Sequence, residues 1–160
     1  MQATDVPAAC RILNRIIGIG GTTAFEVEVS ETEFAGMYVQ GHDLRHDLIA
    51  CHVVQDPNGQ VAGFQWIGHN PDLPADCADI ATFTRRDPPL RGAGRALFAT
   101  TCHLARAAGY RQINATIRAD NVPGLGYYAK MGFVDHAVAR AVPLRDGTPV
   151  DRISRRYVLK

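Results

Sequence analysis

The stretch Leu90-Arg91-Gly92-Ala93-Gly94-Arg95-Ala96-Leu97 constrains this chain more than any other. A β-prone apolar run, Ala78-Asp79-Ile80-Ala81-Thr82-Phe83-Thr84, precedes it. An amphipathic helix pattern follows, with Leu97, Thr101, Leu104, Ala105 and Ala108 on one face and Gly109 placed to end it. Strand, glycine-rich turn and helix N-terminus in that order make an anion-binding site. Glycine lets the backbone approach a ligand closely. The first N–H groups of a helix have no partner within it, and the dipole there favours negative charge. The ligand this stretch predicts carries phosphates.

The glycine spacing narrows the ligand class. A dinucleotide loop needs G-x-G-x-x-G or A, and counting from Gly92 the third position is Leu97. No acidic residue follows at the spacing of about 20 residues that a ribose contact needs. No Gly-Lys-Ser/Thr triplet supports a Walker loop. What remains is Arg91-x-x-Gly94-x-Ala96. A second motif follows in the C-terminal half, Asn121-Val-Pro-Gly-Leu-Gly-Tyr-Tyr128-Ala-Lys-Met-Gly132-Phe133. In order and separation the two resemble the motifs of the GNAT superfamily of N-acetyltransferases, Gln/Arg-x-x-Gly-x-Gly/Ala and Asn-x-x-Ala-x-x-x-Tyr-x-x-x-Gly-Phe. The segment Phe25 to Phe34 is similar to the corresponding region of phosphinothricin and related amino-acid acetyltransferases.

The resemblance implies an α+β, GNAT-type fold: a mixed central sheet with helices on both faces and a splayed parallel strand pair that admits a pantetheine arm. It implies acetyl-CoA as co-substrate and a small-molecule amine, an amino acid or analogue, as acceptor. Arg91, Gly92, Ala93, Gly94, Arg95 and Ala96 would cradle the phosphates. The backbone of Thr82, Phe83 and Thr84 would pair with pantetheine, and Asn121 would touch the cofactor as well as cap a helix. Tyr128 falls on the family's tyrosine, the proton donor to the leaving thiolate; the spacing selects it over Tyr127, whose ring is expected to face away. Asp79 aligns with an acidic residue that relatives carry on this strand as general base, with Glu26 and Glu28 as alternatives and a solvated strand end as the plain reading. Phe25, Glu26 and Glu28 would line the acceptor site or belong to a solvated acidic loop. Three departures stand out: Gly124 replaces the usual Ala, Arg95 replaces an aliphatic residue, and residues 86–90 lengthen the entry to the phosphate turn.

The rest of the chain is compatible with one domain over residues 1–160. At 160 residues it can bury a full core. A formal charge of +1 gives no electrostatic reason to expect nucleic acid or a membrane surface. No apolar run approaches the roughly 20 residues of a membrane span, and no signal pattern opens the chain. Four scattered cysteines predict reduced, mostly buried thiols and a cytoplasmic location. The histidines show no ligand spacing, so no metal is implied. A homodimer is one allowed assembly. The competing readings are a non-catalytic acyl-CoA-binding domain, which would not need the Tyr128 phenol, and a nucleotide-binding module.

In chain order, Thr4 or Asp5 can cap a first helix whose apolar face is Val6, Cys10, Leu13, Ile16 and Ile17. Glycines 18, 20 and 21 read as its stop. Ser30 and Glu33 form a capping box for a second helix. Leu48–Val54 and Gln60–Ile67 flank Asp56-Pro-Asn-Gly59 and predict a hairpin. Gln112–Ile117 alternates as a strand. Asn121 and Gly132 bound a short helix, and two strands, Phe133–Val142 and Arg152–Leu159, follow around Asp146-Gly147.

Overall fold

Local signals set most element ends. The computed structural model describes residues 1–40 and 47–160. Helix α1 (Val6–Ile19) stops at Gly20, whose N–H closes on Ile17 O. Asp5 holds its cap position but sends no side-chain bond into the helix; its carboxylate accepts from Gln2 N instead, so neither proposed side-chain cap forms there. Helix α2 (Glu31–Tyr38) opens on the predicted box: Ser30 Oγ accepts from Glu33 N, and the Glu33 carboxylate accepts from Ser30 N. Residues 20–30 form no strand, so the chain's first strand follows its second helix rather than preceding it. Asn14 pins this segment from α1, donating to Val29 O at 2.8 Å and accepting from Val29 N at 3.0 Å.

The strands are β1 (Asp47–Gln55), β2 (Val61–His69), β3 (Cys77–Thr84), β4 (Gln112–Arg118), β5 (Val134–Pro143) and β6 (Pro149–Val158); α3 (Ala93–Ala107) and α4 (Val122–Lys130) flank β4 in sequence. They form one sheet, ordered β1-β2-β3-β4-β6-β5. Every neighbouring pair is antiparallel except β3 and β4, which are parallel, as expected for a strand–helix–strand unit.

Helices cover both faces of this mixed sheet, giving two cores. On one face α1 and α2 bury Leu13, Phe34 and Tyr38 against Phe64 and Phe83. On the other, Phe98 and Cys102 of α3 and Tyr128 of α4 pack on Ile67, Ile80, Ile113, Ala115 and Ile117. Side chains alternate along β3 without a bulge, so Ala81 and Phe83 face α1 while Ile80 faces α3.

The pairing between β3 and β4 is short. It runs through Cys77↔Gln112, Ala78↔Ile113 and Asp79↔Asn114. Beyond that, β3 stays paired with β2 as far as Thr84, and β4 with β6 as far as Arg118. The facing edges of residues 80–84 and 115–118 therefore carry no ladder between them. This is the splay that the resemblance implies.

Phe64 is fully buried, with ring centroids 5.2 Å from Phe34 and 4.8 Å from Phe83. Phe64→Ala should cost about 3–5 kcal/mol of stability, read as a lower urea midpoint at unchanged slope.

Candidate active site

The phosphate turn is built as its glycines require. Gly92 has φ 81°, the left-handed region, and serves as N-cap of α3 with no side chain to satisfy the helix start. Ala93 is buried, while Arg91, Arg95 and Ala96 are exposed. The first full turn closes where Ala96 N donates to Gly92 O at 3.0 Å. The N–H groups of Gly94 and Arg95 have no acceptor among the described residues. Nor do the guanidinium groups of Arg91 and Arg95 form an ion pair there. Two free amides, a helix dipole and two uncommitted cations fit a diphosphate.

Both tyrosines of α4 turn into this region, which corrects the expectation that Tyr127 faces away. The Tyr127 ring lies against Gly94, where an added Cβ would come 2.6 Å from ring carbon Cε2. Its hydroxyl is 2.9 Å from Gly94 O. A carbonyl cannot donate, so the Tyr127 proton is spent on it. Tyr127 Oη must then accept from Gln65 Nε2 at 3.2 Å, which fixes the orientation of the Gln65 amide. The same nitrogen donates to Thr82 Oγ1 at 2.6 Å, and Thr101 Oγ1 donates to Gln65 Oε1. Thr82 Oγ1 lies 3.1 Å from Tyr128 Oη. Thr82 Oγ1 accepts from Gln65, and between Thr82 and Tyr128 either hydroxyl can donate to the other. When Thr82 donates, the Tyr128 hydroxyl hydrogen is left uncommitted.

Burial pushes the Tyr128 phenol well above its ordinary range, opposed by the Thr82 hydrogen bond, and burial raises Tyr127 as well. Both phenols stay protonated at neutral pH. The network ends at His52, whose Nε2 lies 3.0 Å from Leu97 O and 3.4 Å from Thr101 Oγ1. The carbonyl requires the hydrogen on Nε2, so Nδ1 is bare, and it is buried without a partner. Burial pushes this imidazole below its ordinary pKa, in keeping with a neutral ring. Sequence reasoning missed Gln65, Thr101 and His52 as members of the site.

Asp79 sits at the last paired position of the parallel strands. Its Oδ1 accepts from Asn114 at 2.9 Å and its Oδ2 from Asn70 at 3.1 Å. By alternation it projects from the sheet face opposite Thr82. Asp79 and Tyr128 thus approach the splay from opposite sides. Asn121 caps α4, accepting from Gly124 N at 2.9 Å, and its amide donates to Thr22 O at 3.0 Å. An added Cβ on Gly124 would lie 2.5 Å from that amide nitrogen, which gives the departure from Ala a local reason. The acceptor candidates diverge. Phe25 packs against the α1–α2 core, the Glu26 carboxylate accepts from Arg145 N at 2.8 Å beyond β5, and Glu28 is exposed. The long entry to the turn folds on itself, with Arg86 bridged to Pro89, and Arg85 donating to Pro88 O and to the Asp56 carboxylate, each at 2.9 Å. Among the described residues no group of three or more His, Cys, Asp or Glu is placed to hold a metal ion.

Two substitutions separate charge from packing at the turn. Gly94→Asp should abolish acetyl-CoA binding. Gly94→Ala adds no charge yet displaces the Tyr127 ring, and should weaken binding about tenfold by calorimetry. Undiminished affinity in both variants would dissociate Gly94 from the cradle. Tyr127→Phe should not be silent: freed of its anchor, the Gln65 amide can turn over, and kcat should fall several-fold.

Comparison with known proteins fits this geometry. Residues 14–133 match the model of the acetyltransferase (GNAT) family. No curated protein matches the chain in sequence. Among solved structures, an N-acetyltransferase from Staphylococcus aureus Mu50 is similar at TM-score 0.84 and 20% identity, over 100% of this chain and 96% of that one. A ribosomal-protein-alanine N-acetyltransferase from Brucella melitensis gives 0.84 and 19%, over 99% and 97%. A phosphinothricin acetyltransferase from Sinorhizobium meliloti, solved in complex with acetyl-CoA, gives 0.81 and 20%, over 99% and 85%. At these identities the structures speak for the fold, whereas the family model spans three-quarters of the sequence, including both motifs: the chain belongs to the acetyltransferase (GNAT) family.

Proposed function

We propose that this chain moves the acetyl group of acetyl-CoA to the primary amine of a small molecule, by direct attack with both substrates bound. The observation that carries the reading is the buried Tyr128 hydroxyl, bonded to Thr82 at the splay between the parallel strands and close to the glycine-rich N-terminus of α3. A domain that only bound acyl-CoA would have no use for a phenol so oriented.

Acetyl-CoA supplies an activated acyl group and a thiolate as leaving group. The amides of Gly94 and Arg95, with the Arg91 and Arg95 side chains, hold its diphosphate. The open edge of β3 at Thr82, Phe83 and Thr84 has backbone groups free to pair with the pantetheine arm and to direct an N–H at the carbonyl oxygen as charge develops there. Asp79 takes a proton from the attacking amine, directly or through water. Tyr128 gives its hydroxyl proton to the departing sulfur from the opposite face. Burial holds the Tyr128 phenol above its ordinary value of about 10, so transfer to a thiolate whose acid ordinarily lies near 8.5 requires the two in contact and the thiolate's basicity raised by the same desolvation. Thr82, within hydrogen-bond distance of the Tyr128 oxygen, then donates to the phenolate. Asn121 keeps its capping role and sets the position of α4 rather than adding a charge.

Among the described residues no helix is long and apolar enough to cross a membrane. The four cysteines are free and three of them are buried. We read these thiols as fitting a reducing cytoplasm.

Thiol release with a panel of small amines tests the activity. Tyr128→Phe should lower kcat by roughly 10–100-fold, the modest end for a general acid because coenzyme A leaves fairly well unaided. Acetyl-CoA affinity should be nearly unchanged. Full activity in this variant against a confirmed amine would remove the acid role. Asp79→Asn should slow turnover most at low pH, where unprotonated amine is scarce and a base matters most; a pH–rate profile parallel to wild type would assign the deprotonation elsewhere.

A further inference from the structure

The face of β4 and β6 that points away from α3 is polar along its length. Along β4, Asn114, Thr116 and Arg118 share it, because Ile113, Ala115 and Ile117 fill the other side. Their direct partners on β6 are Arg156, Ser154 and Arg152. Helices α1 and α2 pack on β1, β2 and β3, so this stripe lies beyond them and beside Asp79.

At the far end of the stripe two like charges stand opposite each other. Arg118 and Arg152 are paired residues on adjacent antiparallel strands, an arrangement that destabilises a sheet by itself. Arg118 is buried to 8% exposure and gives Nε and Nη2 to the Asp120 carboxylate. Its Nη1 has no partner among the described residues. Arg152 forms no ion pair there at all, and its Nη1 is shielded from solvent with no acceptor. Burial and the Arg118 charge together push the Arg152 pKa down. Glu26 and Asp120 temper this field, but neither bonds to Arg152. A shielded, unbonded N–H on a cation facing a second cation is a costly element that folding alone does not explain. An oxyanion seated between the two guanidinium groups would satisfy it.

We propose that Arg118 and Arg152 receive an anionic group of the acceptor, so that the substrate is a small amine that also carries a carboxylate or similar oxyanion. The proposal rests on the reading of acetyl transfer given above and names the acceptor class. Arg118 lies four residues along β4 from Asn114, where the splay opens, about 13 Å at 3.3 Å per residue. Arginine side chains span part of that distance. The remaining gap suits an amine and an anion separated by a short carbon chain.

The test uses the full chain, wild type and Arg152→Met, with 4-aminobutanoate against 4-aminobutanamide and 5-aminopentanoate against 5-aminopentanamide. Without any ligand, Arg152→Met should melt about 2–4 °C higher, because it removes an unpaired charge. In thiol release with acetyl-CoA, wild type should favour the anionic member of each pair by about 10–100-fold in kcat/KM, the worth of a charged hydrogen bond. Arg152→Met should bring the two members together. A melting temperature unchanged or lowered by Arg152→Met overturns the anion site. So do equal kcat/KM values within each pair for wild type, or a preference that survives the substitution; acetyl transfer then stands without it. A raised melting temperature with no thiol release from any amine keeps an anion site and overturns acetyl transfer to amines.

Discussion

Parallel pairing that stops after three residues is the constraint on which the rest of this molecule depends. A sheet interior ordinarily satisfies each backbone group on both sides, and an unpaired buried amide is costly. Here β3 and β4 each keep one neighbour and lose the other past Asp79 and Asn114. The gap leaves the facing backbone groups of residues 80–84 and 115–118 without ladder partners across it. The opening is held apart from both flanks: β2 grips β3 to its end, β6 grips β4 to its end, and α3 and α4 pack beneath, with the Phe133 ring in contact with both Phe98 and Tyr128. The phosphate turn sits directly after the unpaired stretch of β3, so a long ligand can lie along one edge and end on one helix terminus.

The buried polar network follows from the same opening. Gln65 is fully buried, and its amide is satisfied at both ends, by Thr101 on one side and by Thr82 and Tyr127 on the other. Gln65 Nε2 donates to both Thr82 and Tyr127, and Tyr127 donates on to Gly94 O, so the amide orientation is fixed from both sides. A chain of neutral hydrogen bonds can therefore orient a proton without a charge in the core, where a charge would be far more expensive.

Local chemistry was legible in the sequence. The Ser30–Glu33 box, the glycine stops and the α3 start depend on a few adjacent residues, and they formed as read. The splay was legible through the resemblance to a known family. Tyr127 was misread for a geometric reason: neighbours on a helix differ by 100°, but α4 is short and spans a concave gap, so one ring reaches α3 and the next reaches β3. Gln65 gave no signal, since a polar residue between Phe64 and Trp66 reads as the outward side of an alternating strand; helices on both faces make both sides interior. The opposition of Arg118 and Arg152 depends on the β4–β6 register, which pairs residues 34 apart in sequence and is set by packing rather than by any local motif.

The two faces of the sheet divide the chemistry. On the α3–α4 side everything near the opening is neutral: Thr82, Gln65, Thr101, both phenols and an imidazole whose proton is fixed by a carbonyl. On the other side stand Asp79, Arg118, Arg152 and Arg156. Nucleophilic attack on an acyl carbon brings in an amine that must lose a proton and releases a sulfur that must gain one, and the two events suit different surroundings. A charged face can accept a proton and recognise a polar acceptor. A dry, neutral face raises the basicity of a departing thiolate and so strengthens the pull on a tyrosine proton. Because side chains alternate along β3, Asp79 and Thr82 are separated onto those two faces by an odd number of residues, and a one-residue slip of the strand would place Asp79 on the same side as Tyr128.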